Sequence, residues 1–192
     1  EKGISETLEE AREKVSQRVT KNATEETASP SATNRISSKL EIPVVLKKRE
    51  EIQLQRTGYT VSYNNLYKTP NWVAWELTRQ ETKGDEERKN RFVPDPDLHE
   101  PRVEHADYTH SGYDRGHMAP AADMKWSKKA MEESFYMSNI CPQNQKLNRD
   151  DWGDLEELCR SWARKYGTVY IACGPIYDQK QPKRIGEHRV AV

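Results

Sequence analysis

The chain has 192 residues, 34% hydrophobic and 32% charged, a balance too polar for every residue to join one core. Its 31 basic residues are matched by 31 acidic ones, so net charge carries no signature of a polyanionic partner. No apolar run approaches the ~20 residues needed to cross a bilayer, and no membrane partner is expected.

In chain order, residues 5–20 read as a helix. Ile4, Leu8, Ala11, Val15 and Val19 recur at spacings of three and four, and Thr7-x-x-Glu10 fits a capping box. The apolar stripe is narrow, which suits a peripheral or partner-seeking helix. The Ser/Thr/Glu-rich stretch Lys21–Lys39 has no periodicity and reads as a linker. Residues 1–39 are therefore set apart from a domain over 40–192. Within it, "YTVSY" from Tyr59 and "NWVAWELT" from Asn71 carry the β-branched and aromatic residues of strands. "KGDEERKN" reads as a solvated turn and "VPDPDL" as an extended loop. Asp114–His117 leads into a loop at Pro120. "DDWGDLEELCRSWARKYG" is the strongest helix, capped by Asp150 or Asp151 and ended by Gly167, with Leu155, Leu158, Cys159, Trp162 and Tyr166 expected on its core face. "TVYIAC" follows as an expected buried strand. Strands and helices do not alternate regularly, which predicts an α+β fold.

The residues that could carry chemistry are Arg115, His117, Asn148 and Glu156. Hydrolysis of a phosphodiester requires an activated water, charge relief on the phosphoryl oxygens and help for the leaving oxygen. A histidine can take a proton near neutral pH, and an arginine offers phosphate a fixed fork of donors. A hard divalent ion such as Mg²⁺ prefers oxygen ligands and keeps several waters, so one Asn oxygen can suffice, with a carboxylate steadying the waters. Asn148, Trp152 and Glu156 are spaced to project on one side of the helix if it reaches back that far. Asp114 and Gly116 are explained more simply, as a turn-stabilising acid and a point of close backbone approach.

"DRGHMAPAADM", then "SNICPQNQKLNRDDWGDLEE", then "VYIACGPIY" resembles the DNA/RNA non-specific endonuclease family, from about Tyr59 to the C-terminus. The resemblance implies a ββα-metal (His-Me finger) fold, with a central, mainly antiparallel sheet flanked by helices. It implies a Mg²⁺-dependent endonuclease, with Mn²⁺ or another divalent cation able to substitute, acting on DNA and RNA to leave 5′-phosphate and 3′-hydroxyl ends. By motif position His117 corresponds to the general base, Asn148 to the one direct protein ligand of the metal, Glu156 to the residue ordering its water shell, and Arg115 to a phosphate support. The family also uses an upstream arginine, Arg88 or Arg91 here, and Arg91 is favoured. A homodimer is among the assemblies the resemblance implies. Family members continue past the equivalent of "GEHRVAV", so a domain truncated at its C-terminus is expected. A nuclease without specificity endangers its own cell, which favours a secreted or periplasmic protein, with an organelle as the alternative.

Other readings stay open on the residues alone. A catalytically inactive nuclease-like scaffold or binding domain is one, and a phosphodiesterase of small substrates is another. Zinc on His99, His105, His110, His188 and the cysteines is disfavoured, because the spacings match no ligand pattern. Cys141, Cys159 and Cys173 leave one disulfide plus a thiol, or three thiols, open. Trp72, Trp75 and Trp162 read as core. Trp126, beside Lys125, Lys128 and Lys129, reads equally as a nucleic-acid contact or a solvated turn.

Overall fold

The computed structural model describes residues 39–44, 48–177 and 181–192. The helix expected over residues 5–20, and all of the linker but Lys39, lie outside them. In chain order the strands are β1 (Ile52–Gln55), β2 (Thr60–Asn64), β3 (Thr69–Thr78), β4 (Asp114–His117), β5 (Ile140–Gln143), β6 (Thr168–Cys173), β7 (Arg184–Ile185) and β8 (Val190–Ala191). The helices are α1 (Lys128–Glu133), α2 (Gln145–Arg149) and α3 (Asp151–Tyr166), with 3-10 turns at His105–Tyr108, Ala121–Met124 and Met137–Asn139 among others.

Strands β1, β2, β3 and β6 form an antiparallel sheet in that order. β3 is long and central, and Val73, Ala74, Trp75 and Leu77 are buried along it. The β2–β3 register shifts at Ser62/Tyr63, where Tyr63 faces Pro70, a residue that cannot donate to a ladder and is accommodated at a bulge. Two further pairs, β4–β5 and β7–β8, stand apart from this sheet. The main core joins Val61, Tyr63, Val73, Trp75, Leu77, Met118, Met124 and Ala163. A second cluster gathers Val103, Tyr108, Met137, Ile140, Ile185 and Val190. The architecture is α+β, as the irregular order of elements predicts.

Three local expectations differ from what forms. Asp114, expected as a turn-stabilising acid, instead opens a strand, Asp114–His117, that pairs residue for residue with β5. β6 is an edge strand, with side chains alternately exposed and half-buried, where a fully buried strand is predicted from its apolar run. On α3 the buried side is shifted. Ala163 is buried and Trp152, Glu156, Cys159 and Arg160 are half-buried, while Leu155, Leu158 and Tyr166 are exposed. Asp150 does precede α3, but its carboxylate makes no capping hydrogen bond. Gly167 ends the helix at φ 100°, a conformation that favours glycine. All three cysteines are free thiols. No helix among the described residues is long and apolar enough to cross a membrane.

Candidate active site

β4 and β5 run antiparallel, with Gly116 opposite Cys141 and His117 opposite Ile140. A Cβ at Gly116 would lie 1.9 Å from the Gln143 side chain, so only glycine lets that side chain cover the strand. Hydrogen bonds at two points tie the helical segment to β4. Near one end, the Asp114 carboxylate accepts from Asn148 Nδ2 at 3.2 Å and from Arg149 Nε at 3.2 Å. At the other, Trp152 Nε1 donates to the His117 carbonyl at 3.2 Å. Beyond His117 the chain is clamped by buried Asn139, whose backbone carbonyl accepts from Met118 N and whose amide bonds both Ala119 N and Ala119 O, each at 2.9 Å. The strand that carries Arg115 and His117 is thus held on three sides.

His117 is only 8% exposed. Its ring lies between Phe92, at 5.4 Å between centroids, and Phe135, edge-on at 5.0 Å. Phe92 is brought there by the pairing of Val93 with Tyr136, and that segment is pinned by buried Asp95, which bonds both Arg56 and Ser138. Burial, reinforced by the charge of Arg88, pushes His117 down to about 3. The imidazole is therefore neutral through the physiological range and keeps a lone pair for a proton. Its Nε2 is buried without a hydrogen-bond partner among the described residues.

Two arginines flank this aromatic pair. Arg88 stacks over Phe135 at 5.4 Å, with Nε bonded to Asn90 Oδ1. Arg115 stacks over Phe92 and Tyr108, at 5.9 and 5.8 Å. Arg115 Nη2 donates to the His105 carbonyl and to Thr109 Oγ1, which fixes the plane of the fork and leaves other donors uncommitted. Its Nε is buried without a partner among the described residues.

Glu156 stands on the inward side of α3, where burial raises its carboxyl to about 7 against the opposing charge of Arg160, with Asp123 adding to the rise and Arg88 opposing it. Arg160 is itself held by Asp123 at 2.9 Å and Glu157 at 2.9 Å, and Asp123 also accepts from Trp75 Nε1 at 3.0 Å. Asn148 lies on α2, whose start is capped by the Asn144 side chain. A carboxylate only accepts, so the amide end of Asn148 facing Asp114 is its NH₂ group, and Oδ1 is left for another partner.

His117, Arg115, Asn148 and Glu156 therefore belong to one assembly of β4, α2 and α3. Asn148 is not on a backward extension of α3, since the helix breaks at Asp150 (φ −104°, ψ −97°). Arg91, the favoured upstream arginine, is exposed and enters no hydrogen bond, ion pair or ring stack among the described residues. Arg88 instead stacks on Phe135, the ring packed edge-on against His117. Sequence reasoning names Trp152 only for its spacing and passes over Phe92, Phe135, Asp123 and Arg160. Of these four only Arg160 carries a sequence signal, one helical turn from Glu156. Asp114 does more than stabilise a turn, because it orients Asn148. Trp126 lines a cleft of mixed charge, with Lys39 and Arg56 beside Glu41, Glu76 and Glu81. Among the described residues no three His, Cys, Asp or Glu side chains converge on a point fit for a metal, and His188 is paired with Asp107.

The sequence profile of the DNA/RNA non-specific endonucleases matches residues 36–192. The chain belongs to that family. It is 43% identical over 122 residues to "Nuclease EXOG, mitochondrial" of Danio rerio, covering 62% of this chain and 36% of that protein. It is 40% identical over 124 residues to human "Endonuclease G, mitochondrial", covering 64% and 42%. To the "Mitochondrial nuclease" of Saccharomyces cerevisiae it is 40% identical over 139 residues, covering 70% and 42%. The matched region thus spans about two fifths of the length of these relatives. A crystal structure of an EndoG/EndoGI complex superposes with a TM-score of 0.72 at 33% identity, covering 86% of this chain and 71% of that one. The family's ββα-metal fold is the one described above.

Proposed function

We propose that the chain carries the active site of a divalent-metal-dependent endonuclease that hydrolyses DNA and RNA with little sequence preference. The observation that carries this reading is the pair of ties from Asp114 to Asn148 and from Trp152 to His117. They hold a neutral imidazole, Arg115, a free amide oxygen and a carboxyl group in one assembly, with Arg88 stacked beside it on Phe135.

His117 is the proton acceptor for an attacking water. A phosphodiester brought beside it adds negative charge, which raises the proton affinity of the imidazole from its depressed resting value. Arg115 and Arg88, each steadied on an aromatic ring, offer donors to the non-bridging oxygens. Displacement in line with the 3′ oxygen leaves a 5′-phosphate and a 3′-hydroxyl. The residues also fit a hard cation. Asn148 Oδ1 is freed by the bond its NH₂ makes to Asp114, and Glu156 is a nearby acid able to accept from coordinated waters. When bound, Mg²⁺, or Mn²⁺ in its place, supplies charge relief at the phosphoryl group and the leaving oxygen. The two arginines address phosphate, which carries little sequence information. The relatives named above are mitochondrial, which supports the organellar location over the secreted or periplasmic one.

The test is digestion of plasmid and of RNA with Mg²⁺ or with EDTA, followed by analysis of the new ends. Cleavage abolished by EDTA, with phosphatase-sensitive 5′ termini, is expected. Binding without EDTA-sensitive cleavage would instead identify a non-catalytic domain, and 3′-phosphate ends would rule out the proposed leaving oxygen. Turnover of dinucleotides as fast as polymers would point to a small-substrate phosphodiesterase.

A further inference from the structure

A second cationic feature lies outside the assembly just described. Lys68, Arg184, His188 and Arg189, with Asn65 and a single acid, Glu187, line an open concavity of about 500 Å³. In a chain of zero net charge, Lys68, Arg184 and Arg189 against the one lining acid are a local excess, while His188 is paired with Asp107. Two of them are held by the backbone. Lys68 Nζ donates to the Pro101 carbonyl at 2.6 Å and to Asn65 Oδ1 at 2.9 Å, leaving its third N–H. Arg184 Nη1 donates to the Leu66 and Arg189 carbonyls at 2.7 and 3.0 Å, leaving Nε and Nη2. Positioned donors of this kind lose little freedom when an anion arrives.

The backbone supplies a second observation. Lys68 and Arg189 stand at φ 57° and 59°, the left-handed region where Gly or Asn is the comfortable choice. Long cations at both positions are not explained by the turns themselves, and such outliers are retained where a side chain has work to do.

The hollow is also coupled to the site. Asp107, on the 3-10 turn His105–Tyr108, accepts from His188 N at 3.0 Å and pairs with His188 Nδ1 at 2.9 Å. The same turn provides the His105 carbonyl gripped by Arg115. One rigid turn therefore carries the phosphate fork of the site on one side and the hollow on the other.

We infer that this concavity is a remote phosphate subsite, which holds the backbone of a polynucleotide whose scissile bond lies at His117. The inference rests on the nuclease reading and adds to it a length-dependent contribution to substrate binding. Each phosphate engaged there adds to the salt dependence of binding.

The experiment measures fluorescence anisotropy of a labelled DNA duplex of about 30 base pairs, in EDTA so that nothing is cleaved, across a salt series. The proteins are the wild type, Lys68→Asn, Arg189→Asn and the double variant. Asparagine accommodates the left-handed backbone, so thermal stability should hold or rise. The double variant is expected to bind about tenfold more weakly, with the log–log salt slope reduced by about one to two. Unchanged affinity and slope, in a protein that cleaves plasmid, would overturn the subsite and leave the nuclease reading intact. Absence of any duplex binding by the wild type would overturn both. Titration with inorganic phosphate separates the sources of the anion. If the variants lose free phosphate yet keep the duplex, the hollow serves a small anion and the inference fails.

Discussion

Helix α3 carries two stripes, one residue apart in register and so rotated by roughly 100°. Leu155, Leu158 and Tyr166 are the apolar stripe, and they are 45%, 40% and 66% exposed. Glu156, Cys159 and Ala163 begin one position later, and with Trp152 and Arg160 they are the side that faces the protein. Hydrophobic periodicity selects the first stripe together with Cys159 and Trp162, and of that predicted face only these two are half-buried. The structure buries the second, because Ala163 admits a close approach to the sheet, Trp152 bonds the His117 carbonyl and Arg160 meets buried Asp123. Where a helix serves a polar site, the stripe with more apolar area need not be the one that packs.

The largest effect expected from testing this contrast is at Trp152. Trp152→Ala removes a half-buried ring and a hydrogen bond to the strand of the proposed base, and should cost about 2–4 kcal/mol in urea unfolding while also lowering cleavage. Glu156→Gln comes next, and its sign depends on pH. The folded-state value near 7 exceeds the ordinary value of 4.5, so the stabilisation tied to the neutral acid is complete below about 4.5 and is lost as pH rises through 7. The variant should match wild type at pH 4 and exceed it by about 1–3 kcal/mol at pH 8, even as cleavage falls. His117 works in the opposite sense. Its depressed value means that stability is lost as pH falls from about 6.5 towards 3.

Arg88, whose charge reaches both His117 and Glu156, gives a smaller effect read in rate. Arg88→Gln should slow cleavage by about ten- to a hundredfold, with Arg91→Gln close to wild type. The reverse order would restore Arg91 as the phosphate contact. The smallest effect is at the exposed stripe, where Leu158→Gln should change stability by less than about 0.5 kcal/mol. A loss of several kcal/mol there would show that the stripe is covered in solution.

Much of the sheet and the long helix was legible in the sequence. β2 and β3 are marked by their β-branched and aromatic residues and α3 by its helical period, and Gly167 marks a helix end in a way few residues can. β4 and β5 were not, since four residues each are too few to display alternation, and Gly116 and Pro142 dilute it further. The identities of His117, Arg115, Asn148 and Glu156 were accessible because their motifs are local. The shell around them was not. Phe92 and Phe135 reach His117 only through the Val93–Tyr136 bridge, a pairing that no local pattern announces. Arg88 and Arg91 stand in an irregular segment where no period distinguishes one from the other. The break at Asp150 likewise hid which helix bears Asn148.

Cleavage of supercoiled plasmid in Mg²⁺ by wild type and His117→Ala, with folding of the variant checked by circular dichroism, addresses the central claim most directly. A proton acceptor that is lost should cost about a hundred- to ten-thousandfold in rate, with nicking by the wild type abolished by EDTA. A folded His117→Ala protein that nicks plasmid at the wild-type rate would contradict the account.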